Sequence, residues 1–237
     1  MTRGLGGPRV SARGQVEKLF LTRAVRMFAY GLTSVVLVLH LTAAGLSAGR
    51  IGLLLSLTLL GDTVISLFLT THADWFGRRR TLIVGALLML VAAGVFATST
   101  SFPLLLFAAT VGVLSPSGNE VGPFLAVEQA ALSQQIQPGK RTAVFAWYQL
   151  TGSLATAAGS LCGGGLVQLL GRAGLSPLSS YRGVSLGYGV AGLLLAVLFL
   201  RLSPAVEVAP SAGTAFRRPF HKSDYFAHRN CFGRPGQ

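Results

Sequence analysis

The sequence predicts an all-α polytopic membrane protein, a transmembrane bundle of about six helices. Three observations carry that expectation. Of the 237 residues, 51% are hydrophobic and only 11% charged, with a mean hydropathy of +0.59. A soluble domain carries about 25% charged residues. The apolar residues also fall into separated runs long enough to cross a hydrocarbon core of about 30 Å, which takes about 20 helical residues. Finally, the basic residues sort to one side of those runs, as membrane topology requires.

Residues 1–20 lack an apolar period and read as a short cytoplasmic lead. The first span is expected over 22–41. A cleaved signal peptide is the competing reading, because basic residues precede the run and small residues follow it, but the further spans argue against it. The second span, 51–71, and the third, 81–98, are nearly uninterrupted apolar stretches. The fourth, 103–131, contains SPSGNEVGP, where Pro116, Gly118 and Pro123 predict a kinked or broken helix. The fifth covers 142–170 and the sixth 183–202. These six spans form one bundle over 21–202, and 203–237 reads as a disordered, basic cytoplasmic tail.

Of the 20 Lys and Arg, only Arg50, Arg172 and Arg182 fall on the outer side when the N-terminus is placed inside. That sorting predicts cytoplasmic N- and C-termini and a plasma or inner membrane. It also accounts for the formal net charge of +13 without a nucleic-acid partner, because the charges lie between spans and in the tails. The two cysteines, Cys162 and Cys231, give neither a disulfide framework nor metal-ligand spacing.

Thirty glycines fit a membrane bundle, where small residues let helix backbones approach. Gly159, Gly163 and Gly164 in the fifth span are the expected packing face. Ionisable residues inside the spans are functional candidates because their burial in lipid is costly. Asp62, midway along the second span, and Asn119 with Glu120 in the interrupted fourth are the candidate substrate or proton path. Arg26 is expected to snorkel to the inner interface and His40 to lie at the outer one. Trp147 and Tyr148 read as interfacial aromatics, and Glu128 and Gln129 as solvated residues closing the fourth span. No HExxH, GxSxG or paired His or Cys spacing points to an enzyme, a metal or a cofactor.

The loop after the second span reads THADWFGRRRTL. Gly77 permits a tight turn, and Asp74 can pair with the arginines beyond it. The segment resembles the GxxxDRxGRR signature of the major facilitator superfamily, between that family's second and third spans. Asp74, Gly77, Arg78 and Arg79 match it, whereas Thr70 and Trp75 depart from it. A weaker resemblance, to GxxxGPxxGG of the family's antiporters, covers 155–164. Gly159, Gly163 and Gly164 agree there, and Ala155 and Ser160 do not.

The resemblance implies the N-terminal six-helix half of a secondary transporter that moves an unidentified small solute by alternating access, with proton coupling as an option. It implies that Asp74, Gly77, Arg78 and Arg79 form a conformational loop at the cytoplasmic face. Six spans are half of that family's usual set, so the expected partner is a second copy or a missing second half. A six-helix membrane protein that does not itself transport, either truncated or serving as a partner, is the alternative.

Overall fold

The computed structural model describes residues 12–112, 114 and 124–201. Among these residues the chain forms seven α-helices and one 3-10 turn: α1 Ala12–Ala43, α2 Ala48–Phe76, α3 Arg78–Thr98, α4 Phe102–Val111, α5 Phe124–Gln135, the turn Pro138–Lys140, α6 Arg141–Arg172 and α7 Pro177–Leu200. Five helices are long and apolar enough to cross a membrane, and α4 is a shorter apolar helix. The protein is therefore an all-helical, multi-pass integral membrane protein.

Several boundaries differ from expectation. Helix α1 starts at Ala12, so residues 12–20, read as part of a lead, are helical. Helix α7 starts at Pro177 rather than 183. Its start is chemically marked: Pro177 occupies the first turn, where its missing N–H costs nothing, and the Ser176 side chain accepts a hydrogen bond from the Ser179 amide. Within 103–131, where a kinked or broken helix was expected, α4 ends at Val111 and α5 begins at Phe124. Residues 115–123, including Asn119 and Glu120, lie outside the described residues, as does the tail from 202 onward.

Helix α1 packs against α6 and α7, α3 lies along α7, and α2 pairs with α4. Glycine sets the closest of these approaches. A Cβ on Gly159 would overlap the Phe28 carbonyl, and one on Gly31 would overlap the Thr156 carbonyl. A Cβ on Gly163 would stand 2.5 Å from the Leu32 carbonyl oxygen. Backbone-to-backbone contact of this kind is how membrane helices gain dispersion energy without a hydrophobic driving force. Ser160 reinforces the seam by donating to the Gly31 carbonyl at 3.2 Å. Gly164 is different, since a Cβ there meets nothing within 4 Å; the expected three-glycine face reduces to Gly159 and Gly163.

The outward surface is apolar, with Leu60, Val64 and Leu67 of α2 and Leu154 and Leu161 of α6 all exposed. In water this would be an aggregation hazard, whereas in lipid it is the required exterior.

Candidate functional site

Arg26 lies near the midpoint of the 32-residue α1, and its side chain is fully buried. Its guanidinium grips Glu128 of α5 with two bonds, Nη1 to Oε1 at 2.8 Å and Nη2 to Oε2 at 2.9 Å. Glu128 is equally buried. Thr22 Oγ1 lies 3.0 Å from Glu128 Oε1 as a donor, and the Tyr148 hydroxyl of α6 donates to Oε2. The carboxylate thus has four donors from two other helices, the degree of satisfaction a buried ion pair needs.

A ring of aromatic and cationic contacts encloses the pair. The Arg26 guanidinium stands 4.8 Å over the Phe124 ring, and Phe124 stacks on Phe199 of α7 at 6.1 Å. Arg23, one helical turn earlier, is buried 4.2 Å over the Tyr148 ring and donates to Gln149 Oε1 at 2.8 Å. Gly152 makes room for it, because a Cβ there would come within 2.7 Å of Arg23 Nε. The delocalised guanidinium suits this setting, since it is weakly hydrated and stacks on aromatic faces.

These positions correct four expectations. Arg26 does not snorkel and Glu128 is not solvated: each supplies the opposite charge that makes the other's burial tolerable. Tyr148 is fully buried rather than interfacial, while Trp147 is 64% exposed. His40 is buried rather than at the outer interface, between the rings of Phe96 and Tyr181 at 5.6 and 6.4 Å. It faces a cavity of about 10 Å³ that is shared with Thr33, Ser185 and Tyr188. Among the described residues neither ring nitrogen makes a well-formed hydrogen bond, although the Tyr181 backbone lies near enough to act on the ring.

Asp62 is the central residue of the 29-residue α2, and it is buried. Among the described residues its Oδ1 has no hydrogen-bond partner, and neither has Oγ1 of Thr58, one turn earlier on the same helix. The Tyr188 hydroxyl, which donates to the Gly112 carbonyl at 3.3 Å, is within electrostatic range of Asp62 and Tyr30. Asp62 and the Arg26–Glu128 pair are separate groups. The structure does not pair them.

At the α2–α3 junction, Gly77 has φ of 88°, a conformation that favours glycine, and starts α3. The side chains of Asp74 and Arg78 lie outside the described residues. Arg79 reaches the C-terminus of α7, donating from Nε to the Phe199 carbonyl at 3.2 Å and from Nη2 to the Leu200 carbonyl. A guanidinium there satisfies the orphan carbonyls and complements the negative end of the helix dipole. Lys18 adds a parallel contact from α1, donating to the Arg201 carbonyl at 3.3 Å.

Among the described residues, no three His, Cys, Asp or Glu side chains come together as a metal site. What the described residues offer chemically is charge inside a membrane bundle: a matched ion pair on α1 and α5, and the Asp62 carboxylate of α2, on which no basic side chain acts.

The comparisons with known proteins agree with this architecture. An uncharacterized membrane protein of Saccharomyces cerevisiae is 39% identical over 199 residues, which cover 83% of this chain and 44% of the yeast protein. The chain therefore spans less than half the length of that relative. The family model described as Major Facilitator Superfamily matches residues 19–235. With most of its length inside that match, and a bundle of membrane-spanning helices to go with it, the chain belongs to the major facilitator superfamily.

Proposed function

We propose that this chain is a secondary transporter bundle that moves a small solute by alternating access. The observation that carries the reading is the buried Arg26–Glu128 pair, with Tyr148 on the same carboxylate. An ion pair inside a membrane bundle is costly to keep, and apolar residues would hold three helices together more cheaply. Its presence is accounted for if the pair must break and reform while the bundle rocks. Membership of the major facilitator superfamily supports the same reading.

In this account Arg79 and Gly77 tie the cytoplasmic ends of α3 and α7 into one rigid unit, with Asp74 and Arg78 completing the loop. Asn119 and Glu120 join Asp62 in lining the solute or proton path. Charge sorting supports cytoplasmic termini, and nothing in the motifs favours an enzyme. A second bundle, from another copy or from a second half, completes the transporter. The 44% coverage of the yeast relative favours one further reading, that the bundle is inactive until joined to such a partner.

The test is uptake of a mixed pool of sugars, amino acids, nucleosides and carboxylates into proteoliposomes holding only this chain, read by mass spectrometry. Saturable uptake of at least one class is expected. Folded protein with no uptake of any class overturns transport by the chain alone and leaves the partner-bundle reading.

A further inference from the structure

We infer that the Arg201 end of α7, with the basic side chains brought to it by α1 and α3, is a binding site for the phosphate headgroup of an anionic phospholipid. The inference goes beyond the transporter reading and does not depend on it.

Three helices gather cations at one point. Lys18 of α1 donates from Nζ to the Arg201 carbonyl at 3.3 Å, and Arg79 of α3 donates to the Phe199 and Leu200 carbonyls just before it. Arg201 itself closes α7 with its side chain exposed, and Arg80, next to Arg79, is exposed as well. Among the described residues no carboxylate pairs with Lys18, Arg79, Arg80 or Arg201. The negative end of the α7 dipole offsets only about half of one charge. Tertiary packing therefore holds mutually repelling cations together, with most of their charge uncompensated from within the bundle.

The surface next to these charges is the second observation. Leu21, three residues after Lys18 and so on the same face of α1, is exposed. Val197, four residues before Arg201 on α7, is exposed too, and so is Leu200. The apolar spans also stop at this level: Leu200 ends that of α7, and Arg79 opens that of α3. Positive charge thus stands where hydrocarbon gives way to headgroups, with exposed apolar side chains directly beneath it.

An anionic phospholipid matches both features. Its phosphate supplies the missing negative charge, Arg201 can offer parallel N–H groups to two phosphate oxygens, and Lys18 adds a point charge beside them. Its acyl chains lie along Leu21, Val197 and Leu200. A soluble phosphate would use the charges and leave that apolar surface bare, so the lipid is the better fit. Basic side chains next to a membrane span draw anionic lipid with about 1 kcal/mol each, and salt screens the attraction.

The experiment uses the full chain, purified in detergent. Its thermal midpoint is followed with added phosphatidylserine, with added phosphatidylcholine and with inorganic phosphate. A ligand that binds only the folded state raises the midpoint with concentration. The wild type should gain at least about 3 °C from phosphatidylserine over phosphatidylcholine, and salt at about 0.5 M should at least halve the gain. Lys18→Gln with Arg201→Gln should remove at least about two-thirds of it. Lys18→Arg with Arg201→Lys, which keeps both charges, should retain it. Lys140→Gln with Arg141→Gln takes the same charge from the start of α6, where Arg141 contacts the Ile136 carbonyl rather than α7, and should also retain it. A wild-type midpoint equal in the two lipids overturns the site. So do equal losses in the two Gln pairs, which would mean diffuse attraction, and a full gain from inorganic phosphate alone, which would mean a soluble anion. None of these readouts involves solute uptake.

Discussion

Arg26 of α1 and Glu128 of α5 meet through two parallel bonds of 2.8 and 2.9 Å, both side chains fully buried, although 102 residues separate them in sequence. The pair fixes where the short α5 sits against the long α1. Breaking one half leaves the other as an uncompensated buried charge. Glu128→Gln should therefore cost about 3–5 kcal/mol of stability, whereas a joint Arg26→Met, Glu128→Leu change should cost far less. A double-mutant cycle of thermal midpoints in detergent measures this; additive single effects would show that the two residues are not coupled.

The α1–α6 seam makes a second prediction. Gly159→Leu forces a side chain into the Phe28 backbone and should destabilise by about 1–3 kcal/mol. Gly164→Ala, facing open space, should leave the midpoint within about 0.5 kcal/mol of the wild type. Equal effects at the two positions would contradict the assignment of the seam.

His40 offers the opposite case to Arg26, a buried polar ring whose nitrogens make no well-formed hydrogen bond among the described residues. His40→Leu removes two unsatisfied groups and replaces them with apolar volume. Stability should stay within about 1 kcal/mol of the wild type or rise. A loss of about 3 kcal/mol in the same melting assay would mean that the imidazole carries a bond the cavity geometry does not reveal.

Arg79→Gln should loosen the end of α7. Amides near Leu198–Arg201 should exchange hydrogen faster, with a global cost of only about 0.3–1 kcal/mol, the usual worth of a cation at a helix C-terminus. Unchanged exchange at those amides would show that the Arg79 contact does not hold the end of the helix.

Much of this architecture was legible in the sequence. Apolar runs are properties of single segments, and most helix ends lie within a few residues of them. DWFGRRR carried the family resemblance because a tight inter-helix loop leaves a local imprint. The buried pair was harder to see. With the first span begun at 22, Arg26 looked close enough to the inner surface to snorkel. The Arg26 side chain instead turns into the bundle, where Glu128 holds its guanidinium and Phe124 covers it, rather than running along the lipid face to the surface. Glu128 looked solvated because it closed an apolar run, yet it sits inside a separate short helix packed on α1. Nothing local joins residue 26 to residue 128, so their pairing became visible only with the helices packed together. Arg79 was picked out for its loop, but its contact with the end of α7 is likewise tertiary.

The most direct test of the transporter reading is the rate of solute uptake into proteoliposomes containing this chain, compared with the same chain carrying Arg26→Gln and Glu128→Gln together, a change that keeps hydrogen-bonding groups while removing both charges. Saturable uptake by the wild type, reduced at least tenfold in the folded double variant, is the predicted result. Equal uptake rates in the two proteins would contradict a working role for the buried pair.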